Sequence, residues 1–208
     1  GGACLGAAPL GTSLTAHQAD QLAALDAEPI IATDADAAGL TAAERDYWIL
    51  AARSANPLFA ELPRGSDPAD LLALGHAAAL AKSLEMAAPL GHHLIQGRVL
   101  GGQTDDLLQA TRMLAAMPPS YWMAGMGEIA DSIGLPDSVI RVTLASAVAA
   151  WNQNPERASM LWGVNQQGQF DRADARRTLS AQDTAVVAPT GRDLPKSAEE
   201  PRPELGAP

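Results

Sequence analysis

Pro29-Ile30-Ile31-Ala32-Thr33-Asp34-Ala35-Asp36-Ala37-Ala38-Gly39 is the stretch on which the reading of this chain turns. Its first five residues are apolar or β-branched and open on a proline, which predicts a short buried strand. Asp34-Ala35-Asp36 stops that strand, and from Ala37 to Arg53 the positions Leu40, Ala43, Tyr47 and Leu50 recur at helical spacing, so a long helix follows directly. In open α/β sheets ligands gather at the carboxyl ends of strands. Two carboxylates two residues apart on a turn at such an end can point into one small volume and hold a divalent cation. Magnesium suits these donors, because it is held by one or two carboxylates with waters and substrate phosphates completing its octahedron. The competing reading is structural, with Asp36 as a helix N-cap and Asp34 as a solvated turn residue.

Downstream, Asn56-Pro57-Leu58-Phe59-Ala60-Glu61-Leu62 predicts another strand and Pro63 to Pro68 a loop. Asp67-Pro68-Ala69-Asp70 follows at once. Beside the first acidic turn, Asp67 would bring a third carboxylate to the same sheet edge, enough for a second or shared metal. Its alternative is again a cap, since proline suits the first helical position after an N-cap aspartate. Upstream, Cys4 to Leu10 is an apolar run read as a strand, ending at Gly11-Thr12-Ser13. Gly11 and Thr12 there are candidate phosphate contacts near a helix N-terminus, although a plain turn explains them too. Thr15-Ala16-His17-Gln18 has the spacing of a capping box, with Leu14 available as a staple, and opens a helix carrying Leu22 and Leu25. Strand, helix, strand, helix, strand with short connections implies a parallel sheet.

Beyond residue 68 the chain is rich in alanine and leucine, with no convincing strand. Helices are predicted over 68–74, 76–86, 89–99, 104–116, 122–133 and 137–151, broken at Gly75, Pro89, Gly101-Gly102, Pro118-Pro119 and Gly134-Leu135-Pro136. From about 165 periodicity is lost and proline accumulates, which reads as a disordered tail or linker. The fold class is therefore α/β: a partial Rossmann-like parallel sheet over 1–75, an all-helical subdomain over 76–160, and a disordered tail over 161–208.

Charge narrows the function. The 208 residues carry a net charge of −10, which argues against a free-standing nucleic-acid binder because duplex binding depends on Lys and Arg displacing counterions. Residues 1–75 hold ten Asp or Glu against Arg45, Arg53 and Arg64, a net of −7. One cysteine, Cys4, excludes an internal disulfide and a cysteine-built zinc site. No apolar run approaches the ~18 residues of a membrane span, and no signal peptide is visible, so a cytoplasmic location and no membrane partner are expected.

Four segments in order resemble the TOPRIM region of bacterial DnaG-type DNA primases. They are Pro9 to Thr15, Ile31 to Gly39 with Ala42-Ala43-Glu44-Arg45, Leu62 to Leu72, and Ala88-Pro89-Leu90 with Leu94-Ile95. The chain is also similar to primase-like segments of actinobacterial plasmid replication and mobilisation proteins. The resemblance implies that Asp34 and Asp36 are catalytic metal ligands and Asp67 a third, with Asp70 a candidate substitute ligand beside Ala69, although on a helix it would point about 100° away from that position. It implies magnesium as the metal, with manganese as a substitute, and synthesis of RNA primers on single-stranded DNA from nucleotides as the reaction of the parent protein. It further implies a replicative helicase as candidate partner and a glutamate acting as general acid or base on a strand upstream of the first one seen here. The chain is accordingly expected to be an amino-terminally truncated piece, inactive alone. Two positions depart from the family pattern: Leu40 stands where a basic residue commonly follows the Asp-x-Asp turn, and Ala69 takes the place of an aspartate. The alternative is a non-catalytic interaction module of a plasmid mobilisation (relaxase-type) or replication protein.

Other motifs carry less. Glu128 to Arg141 has the rhythm of a helix-turn-helix but offers mainly Arg141 to a nucleic acid, which favours a helical hairpin in the core. The four histidines read as surface or satisfied structural residues, and Trp122, Trp151 and Trp162 as packing residues.

Overall fold

A computed structural model describes residues 6–8, 14–25, 27–99 and 104–163. The expected strand over Cys4 to Leu10 lies outside these except for its centre, as do Gly11, Thr12 and the tail beyond 163. Helix α1 (Ala16–Ala23) opens on the capping box expected of it: the Thr15 hydroxyl accepts from the Gln18 N–H at 3.2 Å, and the Gln18 amide oxygen accepts from the Thr15 N–H at 2.9 Å. Strand β1 (Ile30–Ile31) is followed by α2 (Ala37–Ala51) and then β2 (Leu58–Phe59), which pairs parallel to β1 with Ile30 opposite Leu58 and Ile31 opposite Phe59. This is the βαβ unit read from the sequence.

The third strand corrects that reading. After the short helices α3 (Pro68–Ala73) and α4 (Ala77–Glu85), Ala88–Pro89 forms β3, which pairs antiparallel to β2 with Phe59 opposite Ala88 and Leu58 opposite Pro89. The sheet is mixed, in the order β1-β2-β3. Two residues without a β-branched side chain give no strand signal, and proline is tolerated because β3 is an edge. The helices that follow are α5 (Leu90–Val99), α6 (Thr104–Ala116), α7 (Trp122–Ile133) and α8 (Asp137–Gln153), with a short 3₁₀ turn at Pro119–Tyr121. A last helical stretch covers 155–163, so residues 161–163 are helical where the sequence suggested the start of the tail.

One apolar core joins the helices of the two portions. Ala43, Tyr47 and Trp48 of α2 meet Leu90, Leu94 and Ile95 of α5. Met113 and Leu114 of α6, Ile129 of α7, and Ile140, Leu144 and Trp151 of α8 continue the same core. The Tyr47 hydroxyl donates to the Met113 carbonyl at 2.8 Å inside this core, and burial holds its ionisation far above the ordinary range. Two glycines let helices close in. A Cβ on Gly91 would stand 2.7 Å from the Met117 sulfur, and one on Gly125 would stand 2.5 Å from Leu114 Cδ1. Trp151 stacks on Trp162 at 5.6 Å between ring centroids, and Trp48 meets Trp162 edge to face at 5.7 Å. Both α8 and the 155–163 stretch thus supply aromatic packing, as expected for these residues. The α7 to α8 connection turns at Gly134, whose φ of 71° is left-handed, and buries Ile129, Ala130, Ile140 and Leu144 as a core hairpin would.

Candidate functional site

At the carboxyl end of β1 the chain turns sharply. The Asp36 N–H donates to the Asp34 carbonyl at 2.8 Å, and Asp36, with extended backbone, then caps α2 by accepting from the Gly39 N–H at 2.7 Å. Gly39 is buried against the backbone of Asp34: a Cβ there would stand 2.0 Å from the Asp34 carbonyl oxygen. The small residue is therefore required by close approach. The Asp34 side chain, by contrast, is exposed and has no hydrogen bond or ion pair among the described residues.

The second acidic motif sits beside the first. Pro63 to Ser66 forms a tight turn closed by the Ser66 N–H donating to the Pro63 carbonyl at 3.1 Å, with Gly65 at φ 72°. The Ser66 carbonyl accepts from the Ala35 N–H at 3.3 Å, which ties this loop to the middle of the Asp34–Asp36 turn. Asp67 follows at once and caps α3, its Oδ1 accepting from the Asp70 N–H at 2.6 Å with Pro68 at the first helical position. Asp70 lies exposed in the first turn of α3. Both cap readings drawn from the sequence are realised, and each cap uses Oδ1 of its carboxylate. Among the described residues no three His, Cys, Asp or Glu side chains form a ready metal cage. Gly11 and Thr12 lie outside the described residues.

The Ala35 to Ser66 bond and the role of Asp46 were not legible in the sequence. Asp46, on α2, accepts from the Leu14 N–H at 3.3 Å, and its burial raises its pKa above the ordinary carboxylate value, opposed by that bond and by Arg45. The Thr33 hydroxyl, one residue before Asp34, is buried without a partner among the described residues. Far along the chain, His92 Nδ1 lies 3.2 Å from Glu128 Oε2, and Gln96 donates to Glu128 Oε1 at 2.8 Å, a pairing between α5 and α7 that no sequence spacing displays. His93, the next residue, lies instead against the Phe59 ring at 4.7 Å.

The arrangement is thus a parallel strand pair whose first strand ends in an Asp-x-Asp turn, with a second aspartate loop bonded to that turn. Residues 4–72 match the family described as Toprim-like, and this portion of the chain is similar to that family. Over 89 residues the chain is 36% identical to a DNA primase of Campylobacter jejuni subsp. jejuni, a match covering 43% of this chain and 15% of that protein. No solved structure matches the chain. Among the described residues no helix is long and apolar enough to cross a membrane.

Proposed function

We propose that this segment supplies the metal-binding half of a primase-type nucleotidyltransferase site, with Asp34 as the principal ligand and Asp36 and Asp67 beside it. The observation that carries the reading is the contrast at the turn: the Asp34 backbone is locked against Gly39, while its carboxylate is exposed and takes no part in holding the fold. Asp36 and Asp67 each commit one oxygen to a cap and keep the other. An all-oxygen set of few carboxylates, without a closed cage, fits magnesium or manganese completed by water and phosphate oxygens. The bound ion would neutralise the triphosphate and align the attacking hydroxyl. The chain's own part is to fix the acidic turn, through Gly39 and the Ser66 carbonyl, so that its carboxylates need little rearrangement. Asp70, with its N–H committed to Asp67, adds negative charge at the rim of the site.

Under this reading the chain binds metal and nucleotide as part of a site for primer synthesis on single-stranded DNA.

Manganese titration of the chain, followed by electron paramagnetic resonance, tests the reading. Wild type is expected to bind and Asp34→Asn to lose at least about tenfold in affinity at an unchanged melting temperature, whereas Asp36→Ala should also lose the ~1 kcal/mol of a cap. In a longer polypeptide that includes this segment, Asp34→Ala should abolish magnesium-dependent ribonucleotide incorporation on a single-stranded template. Absence of manganese binding by wild type would overturn the proposal and leave the interaction module as the better account.

A further inference from the structure

The helical stretch over 155–163 is held to the rest of the molecule by little besides one side chain. Its side-chain hydrogen bonds among the described residues are local: Asn154 Oδ1 accepts from the Arg157 N–H at 2.9 Å, and the Ser159 hydroxyl donates to the Glu156 carbonyl at 2.8 Å. No ion pair among the described residues ties it to another element. Ala158, Ser159 and Trp162 are buried, whereas Met160 and Leu161 are exposed. Trp162 is the large one. It stacks on Trp151 of α8, meets Trp48 of α2 edge to face, and lies 5.7 Å from the Arg112 guanidinium of α6. Asn154, with extended backbone, is the single residue between this stretch and α8.

That contact contains a stranded donor. Trp48 is only 3% exposed, and its indole Nε1 is buried with no hydrogen-bond partner among the described residues. By contrast, the Tyr47 hydroxyl donates to the Met113 carbonyl and Trp122 Nε1 to the Met117 carbonyl at 3.1 Å. The Trp48 Cδ1, bonded to Nε1, is the atom nearest a Cβ built on Gly163, at 3.5 Å, so the unpaired edge lies at the end of the 155–163 stretch. Trp162 offers it no acceptor beyond a ring face, because indole nitrogen is a donor only. A buried donor without an acceptor has lost water and gained no bond in return. Aromatic packing thus favours docking of the stretch, and the Trp48 N–H opposes it. We infer that residues 155–163 form a clasp, a separately opening unit that docks on α2 and α8 through Trp162 and releases from them while the rest of the core stays closed. Release returns the Trp48 N–H to water and uncovers Trp48 and Trp151 together. Because Asp36 caps the helix that carries Trp48, the clasp ties the carboxyl-terminal side of the helical portion to the element that begins at the acidic turn. The inference does not depend on metal binding there.

Hydrogen exchange of the full chain, followed by NMR, tests this. In wild type the Trp48 indole hydrogen is expected to show a protection factor at least about tenfold below those of the Met113 and Leu114 amides, since it exchanges through release of the clasp and they through wider opening. Gly163→Ser and Gly163→Asn place an acceptor one and two bonds beyond a Cβ that meets Trp48 at ordinary contact distance, and Gly163→Ala places the same Cβ without an acceptor. At least one of the two polar variants is expected to raise Trp48 protection about tenfold above that of Gly163→Ala, with a smaller change at Leu114. Wild-type protection at Trp48 equal to that at Leu114 would overturn the clasp, because the stretch would then leave only when the whole core opens. Protection in Gly163→Ser and Gly163→Asn no higher than in Gly163→Ala would overturn the part assigned to the unpaired N–H.

Discussion

Gly39 shows how much of the site rests on a single absent side chain. A methyl group at this position meets the Asp34 carbonyl, so Gly39→Ala must open the turn or push α2 away from it. Overpacking of this kind costs about 1–3 kcal/mol, and denaturant unfolding is expected to show that loss together with weaker manganese binding. An undiminished affinity in a destabilised Gly39→Ala would mean that the turn does not position the carboxylates. The two aspartates were readable as candidates because strand, acidic turn and helix follow one another without a gap. The bond from Ala35 to the Ser66 carbonyl was not readable, because it joins backbone atoms 31 residues apart whose side chains, alanine and serine, carry no sign of it.

At the scale of elements, helical periodicity and cap chemistry located α1 to α8 within a few residues, since each break falls at glycine, proline or an N-cap. Strand β3 escaped because its two residues satisfy no pattern and its pairing is decided by where the α3 and α4 helices return the chain. The packing of α1 on α2 was equally hidden. It is fixed in part by the Leu14 N–H to Asp46 bond, in a setting that penalises the charge Asp46 carries. Burial raises the folded-state pKa of Asp46 above its ordinary 3.8. The native state then binds its proton more tightly than the unfolded chain, and the stability Asp46 contributes falls as pH rises through that window. Asp46→Asn keeps an oxygen for Leu14 and removes the charge. It is expected to be more stable than wild type in urea at neutral pH, with the difference shrinking as pH is lowered towards about 4. A constant difference across that range would show that Asp46 does not titrate on folding.

Across the whole molecule, the sequence showed an acidic α/β portion followed by helices but not that both share one core, because tertiary contacts between α2, α5 and α6 join residues distant in the chain. That core also sorts five of the chain's six methionines by chemistry. Met86, Met123 and Met160 are exposed, at 71%, 72% and 64%, whereas Met113 and Met117 are sealed inside, and at Gly91 the wall of α5 comes so near the Met117 sulfur that one added carbon would not fit. Sulfoxidation adds an oxygen and makes an apolar side chain polar. Dilute peroxide is therefore expected to modify the three exposed methionines from the native state and Met113 and Met117 only when the molecule opens. Peptide mass spectrometry would read the ratio of the slow to the fast sites. Equal rates would contradict the sealed core; a wide separation would make the glycine at 91, through the sulfur it shelters, a built-in clock for how often this protein comes apart.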